Sequence, residues 1–177
     1  MEVGVFHGVT ARNVCELLYN LHKNDFKYVG LDLFEENDEN KNEVIPNTTF
    51  NNPLKRFYFK YIKKQNPYSL EAVEDLLKKF KENIHLIKGN SNKILKHLDM
   101  QNIDFAFLDG GHSFETIFND LNLVFNKISS NKDAIILCDD YEDADYITGV
   151  KRAVDQFVKE KKLKFEVIEK RFAKITI

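Results

Sequence analysis

The chain has 177 residues, 43 % of them hydrophobic and 31 % charged, with a formal net charge of −2. That length suits one domain with a core of its own, and that balance excludes a disordered or collagen-like chain. The charge gives no global reason to expect a nucleic-acid partner, and no apolar run approaches a membrane span or a secretory leader.

Both cysteines, Cys15 and Cys138, lie in apolar periodic segments. They read as buried thiols of a reducing compartment, so a cytoplasmic location is expected. No internal repeat is present. The chain opens with "EVGVF", a short strand. After a glycine-containing turn, Val14, Leu17, Leu18 and Leu21 mark one face of a helix. "KYVGLDLF" is the second strand. "IHLIKG" is the third, followed by a short helix through Ile94, Leu95 and Leu98. "IDFAFLD" is the fourth, followed by a helix with Ile117, Leu121, Val124 and Ile128 inward. "AIILCDD" is the fifth, followed by a helix with Val150, Val154, Phe157 and Val158 inward. Such alternation predicts a parallel sheet between helices. "FEVIEK" and "FAKITI" then abut with hardly a linker and must form an antiparallel hairpin.

One region breaks this rhythm. Residues 36–83 form an insertion after the second strand, acidic at first ("EENDENKNE"), then basic and aromatic ("LKRFYFKYIKK"). It closes in a helix with Ser69 as N-cap and Val73, Leu76, Leu77 and Phe80 inward. It is expected to be a flap on a single domain spanning 1–177, with the stretch 36–65 mobile until a ligand orders it. The basic aromatic run reads as a solvated amphipathic helix. Its aromatics could also line an acceptor pocket, and a nucleic-acid patch is the weaker alternative.

Three segments carry binding chemistry. Gly4 and Gly8 sit where a strand hands over to a helix, which lets backbone approach a ligand and aims a helix N-terminus at a carboxylate. A structural turn would use the same glycines, and the spacing is not that of dinucleotide folds. Asp32 ends the second strand, where a carboxylate accepts ribose hydroxyls or is simply solvated. "GNSNKIL" offers Asn90, Ser91 and Asn92 to a purine edge, although Ser91 could instead cap the next helix.

Together these segments resemble the class I S-adenosylmethionine-dependent methyltransferases, and within them the metal-dependent small-molecule O-methyltransferases of the catechol and macrocin types. The first motif of that group, E-x-G-x-x-x-G-x-[ST], is matched by Glu2, Gly4, Gly8 and Thr10, and its G-x-S motif by Gly89 and Ser91. "DGGHS" and "VKRAV" look like the macrocin-type branch. The resemblance covers nearly the whole chain outside the insertion. It implies a Rossmann-like α/β fold, a seven-stranded mixed sheet of order 3-2-1-4-5-7-6 with helices on both faces and an antiparallel C-terminal hairpin.

The resemblance also implies roles. Glu2, Gly4, Gly8 and Thr10 would hold the methionine end of S-adenosylmethionine, Asp32 the ribose, and Asn90, Ser91 and Asn92 the adenine. Asp109 would face both cofactor and metal. Asp109, Asp139 and Asp140 would bind Mg²⁺ or a similar cation, which suits hard oxygen ligands and activates a hydroxyl. The bland alternative is that these acids cap strand and helix ends. His112 stands where catechol-type enzymes carry a lysine; with Asp109 it is the candidate catalytic residue, because histidine exchanges protons near neutral pH. His7 lies in the cofactor loop, and His22, His85 and His97 read as surface residues. "NPY", Asn66–Tyr68, resembles an amine-methyltransferase motif but stands in the wrong place and is set aside.

The expected reaction is methyl transfer to a hydroxyl of a small sugar or phenolic molecule, with no nucleic acid or membrane involved and a homo-oligomer as one option. Relatives usually carry helices before the first strand, whereas this chain starts almost on Glu2, so the expectation is that the insertion or a partner chain covers the site, or that the site is open and activity poor. Two alternatives remain: metal-independent methylation of another nucleophile, and a non-catalytic binding protein of the same fold. A nicotinamide oxidoreductase is disfavoured by the glycine spacing and the closing hairpin.

Overall fold

The computed structural model describes residues 1–34, 52–63, 66–128, 133–142 and 148–177. Seven strands form one sheet: β1 (Glu2–Val3), β2 (Tyr28–Asp32), β3 (Ile84–Lys88), β4 (Phe105–Leu108), β5 (Ile135–Cys138), β6 (Lys164–Ile168) and β7 (Phe172–Thr176). Their order is β3-β2-β1-β4-β5-β7-β6, as expected. The first five pair in parallel; β7 runs antiparallel to both β5 and β6. The abutting apolar runs at the end of the chain therefore do fold back as a hairpin.

Side chains alternate between the two faces of each strand. Val3, Leu31, Leu108, Cys138 and Ala173 stand in register on one face. That face meets Leu95 of helix α4 (Ser91–His97), Ile117, Leu121 and Val124 of α5 (Phe114–Phe125), and Val150, Val154 and Phe157 of α6 (Thr148–Lys161). The opposite face carries Val5 and Tyr28 against Ala11 and Cys15 of α1 (Val9–His22) and Val73 and Leu77 of α3 (Leu70–Leu77), with Phe80 in the short 3₁₀ turn beyond it. Both cysteines are fully buried.

The expected helix faces hold for α3, α5 and α6. On α1 they need one correction. Leu17 is 59 % and Leu21 67 % exposed, and the inward face is instead Ala11, Val14, Cys15 and Leu18. The helix turns about 100° per residue, so small Ala11 and Cys15 against the sheet push the larger leucines round towards water. The Ser69 cap is present, its Oγ accepting from Ala72 N at 3.2 Å. Residues 35–51, 64 and 65 lie outside the described residues, and with them most of the stretch of the insertion expected to order on ligand binding. The basic aromatic run forms α2 (Pro53–Phe57) and a π-helical continuation (Tyr58–Lys63), with Leu54, Phe57, Tyr58, Tyr61 and Ile62 exposed.

Strand β1 is shorter than "EVGVF" suggests because Gly4 ends it, at φ +93°. A Cβ at Gly4 would lie 2.5 Å from Gly110 Cα and closer still to the Asp109 carbonyl. Only glycine lets the end of β1 pass this near the end of β4. Gly4→Ala is therefore expected to destabilise the fold by about 2–4 kcal/mol, from backbone strain plus overpacking. Urea unfolding measures this; an unchanged midpoint would mean that the close approach is not required.

Candidate active site

The parallel ladders bring several strand ends to one edge. Gly4 N donates to Leu31 O (2.8 Å), Asp109 N to Val3 O (2.8 Å) and Asp139 N to Leu108 O (3.0 Å). Residues just after β1, β2, β4 and β5 therefore share the carboxyl edge of the sheet, where open α/β sheets bind ligands. A cavity of about 290 Å³ opens there. Its walls include Gly4, Asp32, Asn90, Ser91, Asp109 and His112, together with three residues that sequence reasoning did not assign: Phe6, Phe34 and Tyr68.

Asp32 sits in the cavity wall, held by backbone amides. Phe6 N donates to its Oδ2 (2.8 Å) and Phe34 N to its Oδ1 (2.6 Å). Burial raises its pKa, and the amide hydrogen bonds oppose that rise. Each oxygen has a second lone pair, so the carboxylate can still accept from a diol. Phe6 and Phe34 adopt left-handed backbone, φ 54° and 55°, and Asp140 does so at 57°. Strain of this kind costs roughly 1–3 kcal/mol per residue and tends to gather at functional sites. Tyr68 packs its ring 4.8 Å from that of Phe6, and the ring of exposed His7 stacks 6.0 Å from Tyr68. The "NPY" segment thus reaches the cavity, although not as an amine-methyltransferase motif would.

The Gly89 segment turns tightly, with Gly89 at φ +146° and its N donating to Asp32 O (2.9 Å). Asn90, not Ser91, caps α4, its Oδ1 accepting from Asn92 N at 3.0 Å. Ser91 instead donates to buried Asp120 Oδ2 (2.9 Å) on α5. Asn92 accepts from Asn119 and is not in the cavity wall. Neither Gly8, which caps α1 and would press a Cβ on Val73, nor exposed Thr10 is among the lining residues. Glu2 is also away from the wall. It is 2 % exposed and accepts a hydrogen bond from Tyr28 Oη (2.5 Å), while its Oε1 has no partner among the described residues.

Asp109, His112 and Asp140 each offer a ligand atom, and these atoms lie within 4.8 Å of one another. His112 Nε2 is 3.5 Å from Asp140 Oδ2. The loop carrying His112 is braced by Gly149 at the start of α6, where a Cβ would lie 2.7 Å from Phe114 N. Ser113 caps α5, its Oγ accepting from Thr116 N (3.2 Å). Asp109 is pushed up to about 7, first by burial, then by the charges of Asp139 and Asp140, with Arg171 opposing. Asp139 belongs to a different partnership. Arg171 grips both its oxygens, with Nη2 2.6 Å from Oδ2, and Asp139 donates nothing to the three-residue cluster. Two carboxylates and an imidazole are a donor set suited to a divalent cation, so these residues fit one.

Residues 1–141 match the family described as "Methyltransferase domain". The chain belongs to that family. Several solved structures of similar shape are methyltransferases. The O-methyltransferase NovP superposes with a TM-score of 0.71 at 16 % identity, over 99 % of this chain and 69 % of that one. CalS11, a calicheamicin methyltransferase, gives 0.69 at 16 % identity over 99 % and 70 %. The S-adenosylhomocysteine-bound PaMTH1 of Podospora anserina gives 0.59 at 16 % identity over 98 % and 69 %. Among curated proteins, the uncharacterized protein R132 of Acanthamoeba polyphaga mimivirus is 38 % identical over 72 residues, 37 % of this chain and 32 % of its own length. The chain thus matches about a third of that viral relative. Among the described residues, no helix is long and apolar enough to cross a membrane.

Buried Glu2 has a pKa raised from 4.5 to about 7, mainly by desolvation, which Tyr28's hydrogen bond opposes. A raised carboxyl pKa contributes stability that is complete below the unfolded value and is lost as pH rises through the folded one. Glu2→Gln should therefore gain stability relative to the parent as pH climbs from 4.5 to about 7, by on the order of 3 kcal/mol at neutral pH. Chemical denaturation across that range checks it; a pH-independent difference would show that Glu2 titrates normally.

Proposed function

We propose that this methyltransferase-family chain binds S-adenosylmethionine in the cavity between Asp32 and Asp109 and transfers its methyl group to a small-molecule hydroxyl with the help of a divalent cation. The observation that carries the reading is the continuity of one cavity, from an amide-held carboxylate at Asp32 to the carboxylate and imidazole pair at Asp109 and His112. S-adenosylmethionine supplies an electrophilic methyl group. A divalent cation supplies Lewis acidity that lowers the pKa of a hydroxyl.

The rest is work for the chain itself. Asp32 accepts from the ribose diol, and Asn90 and Ser91 border the adenine end. Phe6, Phe34 and Tyr68 supply apolar surface that excludes water. Gly4 lets cofactor and backbone approach closely. Asp109, His112 and Asp140 would hold the cation, and an oxygen or ring nitrogen of these three that the cation leaves free would accept the hydroxyl proton. In the free chain, burial first and then the charges of Asp139 and Asp140 raise the proton affinity of Asp109, and a bound cation would lower it again. Holding oxygen, methyl and sulfur in line is the main catalytic contribution. The resemblance to NovP and CalS11, named as an O-methyltransferase and a calicheamicin methyltransferase, supports a small acceptor of natural-product type. Gly8, Thr10, Glu2 and Asn92 would support the cofactor loop from outside the cavity. Metal-independent transfer to another nucleophile remains the second reading, favoured by the engagement of both Asp139 oxygens by Arg171.

Asp32→Ala should weaken S-adenosylhomocysteine binding by roughly 1.5–3 kcal/mol, the value of a charge-assisted hydrogen bond, or about 10- to 150-fold. Calorimetry reads this directly, and unchanged affinity removes Asp32 from the ribose role. Separately, EDTA should abolish methyl transfer and Mg²⁺ should restore it, with Asp140→Ala inactive yet near-normal in cofactor affinity. Full turnover in chelator would leave the metal-independent reading standing.

A further inference from the structure

The turn between β6 and β7 places a guanidinium on the carboxylate edge. Glu169 and Lys170 both adopt left-handed backbone, φ 53°, so the chain reverses sharply before Arg171. Arg171 N donates to Ile168 O (3.0 Å), and Tyr141 N donates to Arg171 O (2.8 Å). The turn is thereby pinned to the segment that follows β5. From this base Arg171 forks both oxygens of Asp139, and its Nη2 reaches to 3.7 Å from Asp140 Oδ1. The partners differ in their access to water: the Asp139 side chain is 4 % exposed and that of Arg171 57 %. A buried carboxylate is neutralised by a side chain that can swing into solvent.

We propose that Arg171 is the resident counter-ion of this edge and competes with a divalent cation for it. The inference rests on the metal-assisted reading above. A cation held by Asp109, His112 and Asp140 would share Asp140 with Arg171, and two positive charges on one carboxylate repel. The bidentate fork also takes up Asp139, which would otherwise be a further oxygen ligand. Cation loading therefore requires the guanidinium to withdraw from Asp140 and to loosen from Asp139. The C-terminal hairpin, which contributes no residue to the cavity wall, thus sets how readily the site accepts its metal. The turn's position makes this a property of the fold: β7 is antiparallel to β5, so its start pairs with the end of β5, Cys138 opposite Ala173.

The test is Mn²⁺ binding to the full chain, by calorimetry and by the paramagnetic resonance signal of unbound Mn²⁺. Parent, Arg171→Gln and Arg171→Lys are compared, with S-adenosylhomocysteine affinity measured alongside. Arg171→Gln should bind Mn²⁺ at least about tenfold more tightly. Arg171→Lys, which keeps the charge but loses the fork, should fall between the two. Without metal, Arg171→Gln should melt lower than the parent, and Mn²⁺ should recover more of its melting temperature. A purely structural Arg171 would lower the melting temperature and leave Mn²⁺ affinity unchanged, which would overturn the proposal alone. Weaker binding in Arg171→Gln would overturn it too. Failure of all three proteins to bind Mn²⁺ while they bind S-adenosylhomocysteine would overturn both this proposal and metal assistance, leaving the methyltransferase reading intact. Should Arg171→Gln fail to fold, Arg171→Lys decides: tighter Mn²⁺ binding supports competition, and parental or weaker binding rejects it.

Discussion

Parallel backbone pairing across β2, β1, β4 and β5 is the constraint from which the site follows. Each ladder stops at nearly the same level, so the residue after each strand is delivered to one edge without any side-chain contact being needed. Leu108 pairs with Cys138, and hence Asp109 and Asp139 must emerge side by side. Such an arrangement concentrates function and also concentrates like charge. Burial and the neighbouring charges raise the proton affinity of Asp109, a cost that a cation or a proton relieves.

Two devices manage this crowding. One is glycine: Gly4 allows β1 to end against the Asp109–Gly110 backbone, and Gly149 allows α6 to begin against the His112 loop. The other is Arg171, which carries its charge from the far hairpin to Asp139. Both act through the packing of segments distant in sequence. The apolar work beneath is conventional: Phe157, Leu121 and Leu95 on one face and Phe80 and Leu77 on the other are nearly inaccessible to water, each worth roughly 1.5–3 kcal/mol of burial. That core holds the strand ends rigid enough for Asp32 to be oriented by two backbone amides.

The insertion after β2 contributes in two ways. Its closing helix packs on the sheet through Val73 and Leu77, and Tyr68, just before the cap, covers the cavity beside Phe6. The basic aromatic stretch before it keeps Leu54, Phe57 and Ile62 exposed. Local amphipathic patterning was therefore a good guide both to the helix that packs and to the solvated run before it, whose Phe57, Tyr58 and Tyr61 are exposed.

By itself, the sequence determined the architecture. Apolar runs, their alternation with helical periods and the missing linker before "FAKITI" are local signals of backbone state, and the motifs at Glu2–Thr10, Asp32 and Gly89–Ser91 together ordered the strands by resemblance. It also marked Asp32, Asp109 and His112, since each ends a strand or opens a helix at that edge. Tertiary structure alone decided which marked residues meet. Leu17 and Leu21 turn outward because the inward face of α1 depends on what the sheet can accommodate. Glu2 pairs with Tyr28, and Ser91 with Asp120, because a side chain's partner is set by packing across elements and not by its place in a motif. Asp139 and Asp140 are neighbours in the chain, yet Arg171 forks Asp139, while Asp140 lies between His112 and the outer reach of that guanidinium. The left-handed backbone of Asp140 separates them, and only the folded hairpin brings Arg171 within reach.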